Sequence, residues 1–198
     1  ALVEVLRLHM ALAFFFGLGT GAMFTFLPTF GEALGVHSVS LFYTAYAIAA
    51  VGVRVGGGNL IDTRGRRAII IPSMFVLTVS AGLLTVLALF VRPHMTMPVV
   101  PFLFLTGLLA GAAHGFLYPA LAALLMDVTP EARRGGVVGI FSAVFLVGNA
   151  LGSIVFGYVA HGLGYFVMWA TLTVLLASGF GVSLRLRVGH AVRTPHAV

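Results

Sequence analysis

The chain has 198 residues, 60% of them hydrophobic and only 8% charged, against about 25% charged residues in ordinary soluble domains, and this excludes a water-soluble fold. The net charge of +6 comes from eleven arginines against five acids, but the arginines fall between apolar runs and read as topology signals rather than as a nucleic-acid footprint. There is no cysteine, which excludes disulfides, thiolate metal sites, iron-sulfur clusters and a cysteine nucleophile.

The first residue is Ala1 rather than methionine, and Ala1 to Arg7 does not resemble the basic start of a signal peptide; a fragment of a longer protein is the expectation. A helix needs about 20 mostly apolar residues to cross about 30 Å of hydrocarbon at about 1.5 Å per residue. Six stretches have that length, roughly Leu8 to Phe30, Val39 to Gly57, Ala68 to Val91, Val99 to Met126, Gly136 to Ala160 and Leu163 to Leu184. Together they predict an all-α membrane protein, a single bundle over residues 1–198. The last two are separated only by His161-Gly162-Leu163-Gly164-Tyr165; one continuous span would far exceed the bilayer, so a tight hairpin is predicted there.

Cytoplasmic loops collect Lys and Arg. One side of this alternation receives Arg7, Arg64, Arg66, Arg67, Arg133, Arg134, Arg185, Arg187 and Arg193, and the other only Arg92. Both termini are therefore predicted to be cytoplasmic, in a plasma or inner membrane. Arg54 lies inside the second stretch.

Small residues recur at four-residue spacing in Gly17/Gly21, Gly107/Gly111/Gly115 and Gly148/Gly152. Such spacing lets helix backbones approach closely where lipid supplies no hydrophobic drive, and packing seams are the plain reading. Gly21-Ala22-x-x-x-Phe26-Leu27 is matched by Gly111-Ala112-x-x-x-Phe116-Leu117, each with a proline close behind. The first and fourth stretches would then correspond with opposite directions, as in an inverted 3+3 repeat.

Between the second and third stretches the chain reads Gly58-Asn59-Leu60-Ile61-Asp62-Thr63-Arg64-Gly65-Arg66-Arg67. This resembles the G-x-L-x-D-R-x-G-R-R loop of the major facilitator superfamily, which joins the second and third helices of a six-helix half on the cytoplasmic side. Thr63 stands where that family usually has arginine, which bears on the loop's full charge-relay role. Physically, an aspartate at a helix end accepts hydrogen bonds from backbone amides or arginine, and a contact that must break when helices part is a conformational latch. Gly58 and Gly65 permit close approach and tight turning, and Arg66 and Arg67 can also meet lipid headgroups. A plain positive loop accounts for the same arginines. A second stretch, Gly111 to Leu121 followed by Asp127-Val128-Thr129-Pro130-Glu131-Ala132-Arg133-Arg134-Gly135 and the glycines of the fifth segment, resembles the tenth and eleventh helices of the superfamily, which with the basic tail implies the C-terminal half.

The resemblance implies that the first and fourth helices line a central cavity with the second and fifth beside them. Intramembrane polar residues are costly and tend to face such an interior. The candidate pathway residues are Thr20 and Phe24 on the first segment, Tyr43 and Tyr46 on the second, His114 and Tyr118 four residues apart on the fourth, and Ser142 and Asn149 seven apart on the fifth. Arg54 reads either as a latch or anion contact or as a side chain snorkelling to the cytoplasmic interface. His114 reads either as a substrate or proton ligand, since a free imidazole titrates near about 6.5, or as a histidine bonded locally between helices. The five acids, Glu4, Glu32, Asp62, Asp127 and Glu131, lie in predicted loops or at helix ends. Any proton coupling would fall to His114 or to residues outside this chain, and a passive facilitator stays open.

The leading expectation is a transporter half moving a small solute such as a drug, sugar or metabolite, with no cofactor or metal, partnered by the other six-helix half or a second copy in the bilayer. The alternative is a six-helix scaffold or subunit that moves nothing itself. A membrane enzyme is the third class; a bis-histidine haem would need paired deep histidines, and only His114 lies deep, with His9 at an interface and His37, His94 and His161 in loops.

Overall fold

The computed structural model describes residues 2–36, 38–89 and 98–186, with the side chains of residues 2–5, 59, 61 and 62 outside that description. The expectations made for His37, Arg92, His94, Arg187, Arg193 and the Asp62 side chain lie outside the described residues. Every regular element described is helical: α1 (Leu2–Ala33), α2 (Ser40–Arg64), α3 (Arg66–Leu89), α4 (Val99–Asp127), a single 3-10 turn (Glu131–Arg133) and α5 (Arg134–Ser183).

Four runs are long and apolar enough to cross a membrane: Leu6–Ala33, Arg66–Leu89, Val99–Asp127 and Glu131–Ser183. α2 falls short of that standard by composition, because it carries Arg54, Arg64 and the glycines 56–58. The last run has 53 residues, about 80 Å if straight, and it is not straight. Gly164 has φ 81 and ψ 170, a backbone region essentially reserved for glycine, and divides α5 into arms 134–163 and 165–183.

Contacts with α1 show that the chain reverses at Gly164. Along the first arm the register ascends with α1, since a Cβ on Gly148 would fall on the Phe14 carbonyl, one on Gly152 on the Leu18 carbonyl, and Gly157 lies against Phe26. Along the second arm it descends, with Phe30 against Tyr165 and Trp169, Gly19 against Leu176 and Phe15 against Gly179. The two arms are therefore antiparallel, and the hairpin expected between the fifth and sixth stretches is present. α2 runs parallel to α4, with Phe42, Tyr46 and Ala50 meeting Gly107, Gly111 and Gly115. α3 runs antiparallel to α4 and to the second arm of α5, through Ser80 Oγ donating to the Thr106 carbonyl at 3.2 Å and a 3.0 Å hydroxyl pair between Thr85 and Thr173. These short polar bridges satisfy hydroxyls that would otherwise be buried unpaired.

The fully buried centre holds Phe16, Phe30, Phe42, Phe141, Phe156 and Trp169. Aromatic rings supply large contact area at helix crossings where glycine has removed the side chain from the opposite wall.

This register gathers the arginines at one end. Arg66 pairs with Asp127 at 3.2 Å, joining the start of α3 to the end of α4. Arg67 Nη2 donates to the Leu184 carbonyl at 3.5 Å, joining α3 to the end of α5. Arg64, Arg133, Arg134 and Arg185 border the same helix ends, and α1 begins on that side because Phe15 meets Gly179.

Candidate functional site

Segments α1, α2, α4 and the first arm of α5 bring most of the expected polar and aromatic residues onto one side of the bundle. Two adjoining hollows open there. One of about 470 Å³ is lined by Val53, Arg54, Gly58, Gly115, Phe116, Tyr118 and Pro119. The other, about 380 Å³, is lined by Arg54, His114, Tyr118, Ser142, Phe145 and Leu146. Arg54 and Tyr118 belong to both, so the hollows form one groove floored by α4.

Helix geometry explains this gathering. His114 and Tyr118 are one turn apart on α4 and share a face. Tyr118 Oη and Ser142 Oγ lie 3.3 Å apart, tying α4 to α5, while the Tyr118 ring sits 5.5 Å from Phe141 and 5.7 Å from Phe145. His114 is partly buried, with Phe16 edge-on at 4.7 Å and Tyr46 at 5.6 Å. Phe24 meets Tyr46 edge-on at 5.0 Å and Tyr43 at a tilt at 5.7 Å, and Tyr43 Oη donates to the Phe24 carbonyl at 3.3 Å. An aromatic wall from α1 and α2 thus continues the groove away from the arginine end.

Not every expected residue takes part in the groove. Thr20 turns its hydroxyl back onto the Phe16 carbonyl of its own helix at 2.9 Å. Asn149 lies one seam over, where its backbone abuts Gly21 and its carbonyl accepts from Ser153. Phe145 and Leu146 line the groove without having been singled out. Their signal was available, because Phe145 lies one helical turn from Ser142. Ser153 was also passed over, although it follows Asn149 by four residues and pairs with Thr25 at 2.8 Å.

Two expectations need correction. The stretch Gly58 to Arg64 is not loop, since α2 continues to Arg64 and only Gly65, at φ 84 and ψ 153, breaks the chain before α3. Arg54 therefore lies ten residues from the end of its helix, about 15 Å along the axis, rather than the three that a helix ending at Gly57 implied. Gly58, moreover, is not a close-approach position, because a Cβ there would meet nothing within 4 Å; its neighbour Gly57 is the residue pressed against the Phe116 ring.

At the arginine end, among the described side chains, Arg66 pairs with Asp127 from the end of α4. Its carboxylate is half exposed and Arg66 is partly exposed, so the pair itself contributes at most about 1 kcal/mol. Its value is positional, since it bridges the α2–α3 and α4–α5 connections.

A helical bundle whose apolar runs suit a bilayer and whose polar residues converge on one groove fits an integral membrane protein. The sequence profile of the Major Facilitator Superfamily matches residues 10–197, and the chain belongs to that superfamily. It is similar to the Quinolone resistance protein NorA of Staphylococcus aureus (strain MRSA252), with 26% identity over 73% of this chain and 35% of that protein. It is also similar to the Staphylopine export protein of Staphylococcus aureus (strain Mu50), with 28% identity over 79% of this chain and 38% of that protein. The chain thus spans little more than a third of the length of the curated relatives it matches.

Proposed function

We propose that this chain is one six-helix half, the C-terminal one, of a secondary transporter that exports a small solute by alternating access. The observation that carries the reading is the groove itself, in which Arg54, His114, Tyr118 and Ser142 meet from three helices on the side of the bundle open to a second half. In a bilayer such polar groups are costly unless they face a cavity or a partner. The names of the relatives, a quinolone resistance protein and a staphylopine exporter, favour export of an organic solute over uptake.

Six transmembrane helices in an inverted 3+3 repeat are part of the same proposal, with α2 as the least apolar span and α5 counted as two. Support comes from the seams. Gly17 and Gly21 of α1 abut the backbone of Phe145 and Asn149, while Gly107 and Gly111 of α4 abut the backbone of Phe42 and Tyr46. The same four-residue step joins the first helix to the fifth and the fourth to the second, as an inverted repeat requires. The arginine end faces the cytoplasm in this reading by the positive-inside rule, with both termini there, in the plasma or inner membrane. The helical hinge at Gly65, with Asp62, Arg64, Arg66 and Arg67 around it, acts as the cytoplasmic gate. The partner is the other half of the transporter, or a second copy.

The test is reconstitution of the complete protein in liposomes with a broad panel of labelled organic solutes. Export of at least one, abolished by locking the cytoplasmic end with a crosslinker, is the expected result. Absence of movement for the whole panel would sink the transporter reading in favour of a membrane scaffold.

A further inference from the structure

Arg54 makes no ion pair with any acid whose side chain is described. Its Nε donates to the Gly115 carbonyl at 3.4 Å, across the α2–α4 seam, and this is a backbone group that leaves the charge unneutralised. Among the described residues that line the two hollows there is no acid. The guanidinium is exposed to the groove and lines both of its hollows. Arg54 lies ten residues, about 15 Å along the axis, from the arginine end of α2.

An arginine in a largely apolar groove is costly in a bilayer, and chains retain it where a ligand or partner supplies the opposite charge. The surroundings say which kind. Tyr118 and Ser142, hydrogen-bonded to each other at 3.3 Å, leave one hydroxyl proton to donate into the groove, His114 offers an imidazole, and Phe116, Phe145 and Leu146 supply apolar wall. Arginine binds carboxylate in a planar two-bond fork, and a hydroxyl donor next to it adds to the solvation of an oxyanion while the apolar wall takes an organic body.

We infer that Arg54, with Tyr118 and Ser142, forms an oxyanion subsite and that the solute handled by this groove is an amphipathic organic acid bearing a carboxylate. The inference rests on the groove being the substrate site of a transporter. Arg54 fixes the acid group, and the aromatic rings of Phe116 and Phe145 hold the apolar part.

The test uses the complete purified protein and three matched fluorescent probes: 1-naphthylacetate, its uncharged amide, and 1-naphthylmethylammonium. Equilibrium binding is measured for the wild type, Arg54→Gln, Arg54→Lys and, as a control at the arginine end, Arg67→Gln. The expected result is at least tenfold tighter binding of the acid than of the amide. Arg54→Gln brings that ratio close to one while leaving amide binding within twofold, Arg54→Lys keeps part of the preference, and Arg67→Gln keeps all of it. Retained amide binding in Arg54→Gln also shows that the variant is folded. Equal binding of acid and amide by the wild type, or an unchanged preference in Arg54→Gln, would overturn the subsite while leaving the groove as a binding site. New binding of the ammonium probe by Arg54→Gln would overturn it differently, by showing that Arg54 neutralises an acid of the other half. If none of the three probes bound the wild type, the reading of the groove as a solute site would fall together with the subsite.

Discussion

The α1–α5 seam and the α4–α2 seam are built alike and equipped differently. In both, glycines four residues apart bring two parallel helices into backbone contact, with Gly17/Gly21 against Phe145/Asn149 in one and Gly107/Gly111 against Phe42/Tyr46 in the other. The first seam is flanked by the Thr25–Ser153 pair and the Asn149 backbone. The second carries Arg54 across it on the Gly115 carbonyl, while His114 of α4 reaches from it to both Tyr46 and Phe16. Packing, which tolerates only small residues at the crossing, is common to both seams, whereas the arginine belongs to the second. Architecture and chemistry are thus separable: the shared seams hold the bundle, and α2 with α4 supplies its charge and its titratable ring.

The comparison is broken most forcefully at the glycines. Gly21→Leu and Gly111→Leu each drive a side chain into backbone atoms of the facing helix, which cannot move aside as a flexible side-chain tip could. Overpacking typically costs about 1–3 kcal/mol, and collision with backbone belongs at or beyond the upper end. Both variants are expected to lose the monodisperse peak in detergent size-exclusion chromatography. Gly52→Leu, on α2 with nothing within 4 Å of a Cβ, is expected to keep it. If Gly21→Leu were tolerated and Gly111→Leu were not, the seams would differ in packing as well as in chemistry.

Much of this was legible in the sequence because membrane structure leaves strong signals. The glycine spacing marked both seams, the arginine alternation marked one end of the bundle, and the break near Gly164 followed from a run too long for any bilayer. Where the second helix ends was not legible. Hydropathy falls at Gly56-Gly57-Gly58, which suggests a loop, but intrahelical hydrogen bonding continues through polar sequence as readily as through apolar sequence once a helix is nucleated. That error placed Arg54 close to a helix end and hid its place along the groove. Asp127 as the acid on Arg66 was equally hidden, since the two lie 61 positions apart and only the antiparallel register of α3 and α4 brings them together.

A smaller effect is expected at the Gly65 hinge, at the arginine end of the bundle. If the Asp62 region gates the transporter, Asp62→Asn in the complete protein lowers the transport rate about tenfold, roughly 1.4 kcal/mol in barrier, with an unchanged melting temperature. Asp127→Asn removes an exposed pair and is expected to shift stability by less than about 1 kcal/mol. Equal transport losses from the two substitutions would mean that the gate works through the Arg66–Asp127 bridge. Within the groove, Tyr118→Phe deletes the bond to Ser142 but keeps the ring contacts with Phe141 and Phe145. A loss of about 1 kcal/mol is expected, read as a modest fall in melting temperature.

The smallest effect sharpens the contrast most. Thr25→Val and Ser153→Ala each remove one side of the 2.8 Å hydroxyl pair on the α1–α5 seam, and the double variant closes a cycle. Ser153 keeps the Gly21 and Asn149 carbonyls as alternative acceptors at 3.3 and 3.2 Å, so losing Thr25 strands no donor. The coupling between the two positions is then expected near the average for interhelical hydrogen bonds in membranes, about 0.6 kcal/mol. Such a value fits a seam held by backbone contact at its glycines, with hydroxyls as minor additions. A coupling above about 1.7 kcal/mol, the upper end for such bonds, would instead make this seam depend on its polar pair. The α4–α2 seam bridges its crossing from Arg54 to a carbonyl and has no such hydroxyl pair among the described residues, so the two would then be alike only in outline.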